Sequence, residues 1–289
     1  MVGAEGEWRE STDRDLIAPY IAPELKEDLW ALFASDTIRW DKLTVIPGLR
    51  YDHLSVVDED MLSPSLGLTY QLSDDTLLRA SVGRGFRKPY QSLIEGDPWF
   101  HIVNPNLESE TIWSYQAGVE TTKFAFARLK ATLFDHRSTK TWVNDPATWA
   151  WVNDGSYERQ GIELEAMSAT FHNFSVNAGT MYEWLKPDQG KDNQVATANL
   201  LLQYDDTVWR CQLFGHYIWT DGDVKTWTYE RRLNTVLWDA TAGYRFSGPL
   251  AVQGEVFATL HNIFDADQYF STYGLNAPRW IEAGVRFKF

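Results

Sequence analysis

Trp280-Ile281-Glu282-Ala283-Gly284-Val285-Arg286-Phe287-Lys288-Phe289 alternates without a break. Ile281, Ala283, Val285, Phe287 and Phe289 point one way, and Trp280, Glu282, Gly284, Arg286 and Lys288 the other. A period of two is the signature of a strand with one apolar face. The same alternation runs through Leu43–Tyr51, Phe174–Trp184 and Trp238–Phe246. Roughly fourteen such segments can be placed, most of about 10 to 13 residues, and no helix-period stretch competes with them. That is too long for an ordinary strand of ~5–6 residues. It matches the ~9–11 tilted residues that a strand needs to cross a bilayer.

The connections between these segments alternate in length. Short ones fall near 39–41, 72–75, 122–125, 170–173, 205–207 and 247–249, and longer ones near 12–26, 52–60, 87–108, 143–156, 186–193, 220–233 and 267–278. A sheet with short turns at one end and long loops at the other is what a membrane barrel requires. A soluble antiparallel sheet could alternate in hydrophobicity, but it has no reason to sort its loops by side. Aromatic residues gather at segment ends, as with Tyr182 and Trp184 or Tyr217 and Trp219, where interfacial girdles would place them. In lipid the backbone finds no solvent hydrogen bonds, so it must pair within a sheet; outward side chains are then apolar and inward ones polar.

Composition agrees once it is read this way. The chain has 289 residues, with 14 Trp, 13 Tyr and 15 Phe, an aromatic share of 15% that is high for an acidic soluble domain. Acidic residues outnumber basic ones 40 to 26, giving a net charge of -14, which excludes nucleic acid as a partner. The single cysteine, Cys211, can form neither an internal disulfide nor a thiolate zinc site alone. Mean hydropathy is only -0.36 because half of each strand and all the loops are polar. Met1–Trp8 carries neither the basic nor the apolar region of a signal peptide.

Several motifs, taken in order, resemble the C-terminal barrel of TonB-dependent outer-membrane receptors. They are Pro47-Gly48-Leu49-Arg50-Tyr51-Asp52, Ser63-Pro64-Ser65-Leu66-Gly67-Leu68, and Arg79 to Pro89 with Arg84, Gly85, Phe86 and Arg87 at its centre. Next come Asn104-Pro105-Asn106-Leu107-Glu108-Ser109-Glu110, Asn153-Asp154-Gly155, and Arg159-Gln160-Gly161-Ile162-Glu163-Leu164-Glu165. Last are Leu260-His261-Asn262-Ile263-Phe264-Asp265 and the closing strand to Phe289. Singly these are weak; together, in family order, they cover essentially the whole chain.

The resemblance implies an all-β fold, an antiparallel transmembrane β-barrel with about 14 strands of a presumed 22. It implies the outer membrane of a Gram-negative bacterium and uptake of a scarce ligand, a ferric siderophore first and cobalamin second, rather than enzymatic catalysis. It also implies coupling to the TonB complex through a plug domain that this sequence does not contain, recognition of Phe289 by the barrel-assembly machinery, and contact with lipid and lipopolysaccharide. No cofactor is implied. Because the likeness starts in mid-barrel, Met1 is expected to be internal to a longer gene or the start of a truncated one. The alternative is a self-contained passive channel of about fourteen strands.

The candidate sites follow. Aromatic and arginine-bearing loops are the expected ligand contacts: Trp99 and His101, then Trp149 and Trp151 with Trp142, then Tyr229, Arg231 and Arg232. Arg84, Arg87 and Lys88 form a basic cluster at a strand mouth, a wall motif with anionic ligand or lipopolysaccharide phosphate as a secondary reading. Glu163 and Glu165 share one strand face and are expected to meet basic groups in the lumen. Asp135 beside His136 lacks a third catalytic group. The six histidines show no paired ligand spacing. Asp58-Glu59-Asp60, and Asp221 with Asp223, are each too few to supply the six or so oxygens that calcium takes.

Overall fold

A computed structural model of the chain describes residues 1–11, 25–90, 94, 104–187, 193–221, 224–225, 230–231, 234–247, 253–271 and 274–288. The strands in order are β1 (Val2–Ser11), β2 (Leu25–Ser35), β3 (Ile38–Trp40), β4 (Leu43–Leu54), β5 (Glu59–Ser73) and β6 (Thr76–Arg87). There follow β7 (Glu110–Phe124), β8 (Ala127–Asn144), β9 (Trp151–Ser168), β10 (Phe174–Pro187), β11 (Asn193–Asp205) and β12 (Trp209–Thr220). The chain continues through β13 (Val224–Lys225), β14 (Glu230–Arg231), β15 (Val236–Ser247) and β16 (Gln253–His261). It closes with β17 (Tyr269–Ser271), β18 (Gly274–Leu275) and β19 (Trp280–Lys288).

One sheet of 15 strands carries the molecule, every long strand pairing antiparallel with its sequence neighbour. Short β3 resumes the course of β2 along β4 after a break at Asp36 and Thr37. The ribbons β13–β14 and β17–β18 lie within two of the long connections. Nearest-neighbour pairing throughout is the simplest way to satisfy backbone donors and acceptors without water.

Register converts the alternation into two continuous faces. Leu68, Ala80, Ala117, Leu133, Ile162 and Tyr182 stand side by side from β5 to β10. Leu202, Leu213, Ala240, Leu260 and Ile281 do the same from β11 to β19. On the opposite face the row is Thr69, Arg79, Gly118, Thr132 and Glu163. Leu133 at 59% and Ile281 at 70% exposure would be costly in water, and burying them in acyl chains removes that cost. Only six apolar residues are buried among the described ones, so the molecule has no core of the kind a soluble domain needs. Its accessible surface of 18903 Å² compares with roughly 12,600 Å² expected for a soluble monomer of this mass.

Aromatic residues border the apolar face at both ends. Near the short turns Phe174 packs on Tyr204 at 4.8 Å and Trp209 on Tyr244 at 5.1 Å. Near the long connections lie Trp30 with Tyr51, Trp113 with Tyr115, and Tyr182 with Trp184. The polar face is laced by ion pairs, among them Arg128–Glu120 and Arg159–Glu183, both at 2.6 Å between neighbouring strands, and Arg50–Glu5 at 2.9 Å, which reaches across β2. Glu165 meets Lys130 at 2.5 Å, which is the basic lumen group expected for it.

The expected loop lengths need adjustment. Residues 52–60 are not a loop: β4 and β5 zip together down to a four-residue turn at 55–58. Likewise 143–156 contracts to 145–150, because β8 and β9 each extend to 18 residues. Both strands outrun the ~9–11 residues a bilayer needs, and their outer halves stand clear of it.

Glycine at 161 is required by close approach rather than by a turn. A Cβ there would meet the Tyr182 carbonyl oxygen at 2.4 Å and the Phe134 ring at 2.5 Å. Phe134 lies over the glycine and is buried by it, as aromatic rings cover strand glycines elsewhere. We expect Gly161→Val to destabilise the folded barrel by about 1–3 kcal/mol. A lowered urea midpoint of the compact, heat-modifiable band is the check, and an unchanged midpoint would refute the packing account.

Candidate functional site at the outer mouth

The long-connection end of the sheet gathers most of the residues singled out by motif. Segment 104–109 returns from the longest connection and is strapped to the inner wall before β7 begins. Asn104 Nδ2 donates to the Trp151 carbonyl at 2.7 Å. Asn153 Nδ2 donates to the carbonyls of Glu108 and Lys140, both at 2.8 Å, while its Oδ1 accepts the Glu108 N–H at 2.8 Å. The Ser109 N–H donates to the Glu59 carboxylate at 3.1 Å. Leu107, between these ties, is 2% exposed, and Leu54 nearby is fully buried. The family-type run Asn104–Glu110 is therefore a clamp, and Pro105 occupies its exposed corner.

Glu110 is the hub beside it. Its carboxylate is buried, accepts the Arg87 Nε–H at 2.6 Å and takes the Trp142 backbone N–H at 2.7 Å. Arg87 lies over the Trp142 ring at 4.5 Å. The Trp142 indole N–H donates to the Glu108 carbonyl at 2.8 Å. A buried carboxylate with a guanidinium and an amide N–H is fully compensated, whereas removing either partner leaves charge in a dry site.

The expected basic cluster does not exist as a unit. Arg87 is committed to Glu110, and Lys88 to buried Glu27 on β2. Arg84 stands on the opposite, membrane-facing side, level with Trp113, and donates to the Leu62 carbonyl at 3.0 Å. Alternation along β6 forces the separation: positions 84 and 87 differ by an odd number of residues, so their side chains leave by opposite faces. Gly85 shares the inward side with Arg87, and Phe86 the outward side with Arg84. Asp135 and His136 are split in the same way, Asp135 facing out beside Arg137 and Gln160. Glu59 and Asp60 are engaged with Ser109 and His53, which removes them from any shared cation site.

Trp149 caps the tip of the long β8–β9 hairpin. It is 65% exposed and has φ 62°, a left-handed conformation that bulky residues rarely adopt. The turn is built on Asp145, whose carboxylate accepts the Ala147 N–H at 2.9 Å and the Thr148 hydroxyl at 2.7 Å. The Trp149 N–H returns to the Asp145 carbonyl at 2.7 Å. Trp151 is not a loop residue: it opens β9, and its carbonyl holds the strap. Of the remaining expected contacts, Trp99, His101, Tyr229 and Arg232 lie outside the described residues, as does Phe289, and Arg231 is placed only as backbone in β14.

Asn262 and Asp265 form a second clamp. Asn262 has φ 48°; its side chain donates to the carbonyls of Ala266 at 2.9 Å and Ala277 at 3.2 Å and accepts the Ala266 N–H at 2.8 Å. Asp265 accepts the Arg279 N–H at 2.8 Å, while Phe264 projects outward at 72% exposure. The last long connection is thereby pinned at both roots.

The comparisons with known proteins identify the class. Residues 2–263 match the family described as TonB dependent receptor-like, beta-barrel. The chain belongs to that family, and so is an outer-membrane β-barrel of a Gram-negative bacterium and not an enzyme. It is similar to the vitamin B12 transporter BtuB of Vibrio vulnificus, 24% identical over 308 residues that span all of this chain and 47% of that protein. A shorter stretch of 78 residues is 33% identical to the ferrienterobactin receptor of Escherichia coli, covering 27% of this chain and 10% of that protein. Among solved structures, the siderophore receptor PirA from Pseudomonas aeruginosa superposes with TM-score 0.75 at 22% identity, over 100% of this chain and 51% of PirA. The chain thus spans about half the length of the relatives it matches.

Two outcomes test the mouth. Asn153→Ala removes two hydrogen bonds to the strap and one to β8, so the 88–109 connection should be cut faster by protease while the barrel stays folded; equal cutting would refute the clamp. The Asp145 carboxyl is held below the ordinary carboxylate range, chiefly by the Thr148 hydroxyl and then by the Ala147 N–H. A depressed folded value means the turn is fully stabilised above the unfolded value and loosens only as pH falls through the folded one. Trp149 emission should therefore stay constant down to the usual carboxylate range and change only below it, and Thr148→Val should move that change upward.

Proposed function

We propose that this chain forms barrel wall and outer loops of a receptor that takes a scarce ligand across the outer membrane with energy from TonB. A ferric siderophore is the first cargo and cobalamin the second. What carries the reading is the family match together with a mouth whose loops are rigidly rooted while Trp149 is held exposed at a tip. The relatives are by name a siderophore receptor, a ferrienterobactin receptor and a vitamin B12 transporter. Aromatic tips suit such cargo because a planar ring offers large contact area at low entropic cost.

In this mechanism the strapped connections hold the mouth in shape, and the ligand is captured between their tips. Inward ion pairs such as Arg50–Asp52 and Lys130–Glu165 keep the wall neutral and stiff. Energy coupling runs through a plug domain within the barrel, and the barrel-assembly machinery reads Phe289. The other reading, a self-contained passive channel, requires β1 to pair with β19. Among the described residues β1 pairs only with β2 and β19 only with β16, which disfavours it.

The test begins with the native protein in the outer-membrane fraction of its source. A band of about 70 kDa or more, as expected for some twenty-two strands and a plug, supports the receptor; a heat-modifiable band near 33 kDa with stable conductance supports the channel instead. Ligand binding then follows: Trp149→Ala should weaken capture of the ferric siderophore at least about tenfold without altering the folded band. Unchanged affinity would remove Trp149 from the site.

A further inference from the structure

Asp239, His261, Trp280 and Glu282 meet on the inner face, where the last long connection leaves and re-enters the sheet. Leu260 and Ile281 belong to the outward apolar row, so His261 on β16 and Trp280 and Glu282 on β19 turn inward. His261 pairs with Trp280 across the ladder, and Asp239 on β15 stands one place beyond the Ala240–Leu260 pair. The His261 ring stacks on the Trp280 indole, with centroids 4.0 Å apart and planes at 14°. Its Nδ1 lies 3.1 Å from Asp239 Oδ2, and the other oxygen of that carboxylate accepts the Asn262 N–H at 2.8 Å. Its Nε2 lies 3.9 Å from Glu282 Oε1, is shielded from solvent and has no hydrogen-bond partner among the described residues.

An ionised carboxylate only accepts, so the contact with Asp239 requires Nδ1 to carry the hydrogen. Neutral His261 then sets a bare Nε2 lone pair beside the Glu282 carboxylate, acceptor against acceptor. A second proton removes the conflict. Nε2 becomes a donor, and Glu282, whose side chain is 47% exposed, has room to close the remaining distance. The same charge is favoured by the Asp239 carboxylate and by the indole face on which the ring lies. Asp239 from β15 and Glu282 from β19 are the charged groups facing the ring; Arg279, next to Trp280 in the chain, turns instead to the Ile263 carbonyl at 3.5 Å.

We propose that His261 is a proton-operated latch for the 262–279 connection. Charged, it ties β15, β16 and β19 together at both roots of that connection; neutral, it holds only Asp239. Histidine gains and loses its proton between about pH 5 and 8, so mild acid closes the latch. The effect reaches the connection through Asp239, which also holds the Asn262 N–H, and the Asn262 side chain in turn pins the carbonyls of Ala266 and Ala277. The latch depends on neither the cargo nor the energy source of the proposed receptor.

The test is hydrogen exchange of the full-length protein purified from outer membranes, read by mass spectrometry in peptides spanning 262–279 and corrected for the intrinsic pH dependence of amide exchange. Protection should be about fivefold greater at about pH 5.5 than at about pH 8, the size of a partly exposed ion pair. His261→Phe keeps a ring on Trp280 but has no proton to gain, so its protection should be equal at the two pH values. Glu282→Gln supplies an amide N–H that the bare Nε2 can accept. It should raise protection at the higher pH and flatten the difference, a gain that misfolding does not produce. The heat-modifiable band should be unchanged in both variants. Equal protection at the two pH values in the unaltered protein, a difference that survives His261→Phe, or Glu282→Gln behaving like the unaltered protein would each overturn the proposal.

Discussion

Lateral backbone pairing is the constraint on which everything else depends. In a bilayer each unpaired N–H or C=O costs several kcal/mol, and no solvent group can relieve it. A strand can meet that demand only through its two neighbours. This is why the long strands follow one another in sequence order across a single sheet, and why β3 resumes pairing with β4 as soon as the break at Asp36 and Thr37 is passed. Fixed pairing then fixes register, and register fixes which side chains share a row. The apolar belt, the inner ion pairs and the membrane-facing cations are all consequences of that one alignment.

The inner face shows how polar groups are tolerated where no core exists. Charges come in neighbouring-strand pairs, Arg159 with Glu183 and Lys130 with Glu165, so each is neutralised locally instead of being buried alone. Packing of the usual kind occurs mainly at the mouth, where Leu54 of β4 and Leu107 of the strap are buried. Stability at that end is local and modular. The Asn153 clamp and the Glu110 hub together hold the connection into β7, meeting at the Glu108 carbonyl, and the Asn262 clamp holds the last one.

Legibility in the sequence follows the range of the interaction. Strand identity, the apolar face and the sorting of connections depend on near neighbours, and alternation exposed them. The barrel class came from motifs such as Asn104–Glu110 and Asn262–Asp265, although their physical role did not. Asn104, Asn153 and Asn262 are polar residues whose side chains replace missing backbone partners across gaps of up to 47 residues, and nothing local announces that. Of the longer connections expected at 52–60 and 143–156, more than half of the residues belong to strands. Cross-strand pairs such as His53 with Asp60 let polar residues remain in strands that project beyond the membrane.

What the sequence determined by itself was the class of solvent on each face, because period two is a property of consecutive residues and needs no knowledge of what they pair with. Only the tertiary structure decided which distant residues meet. It broke the closely spaced trio Arg84, Arg87 and Lys88 into an outward cation and two inward ion pairs, and it assembled Arg84, Arg137 and Lys186 from three strands into one row. The reason is parity: a side chain's face is set by odd or even position along its strand, but its neighbours are set by register across strands, and register is fixed by pairing over the whole sheet.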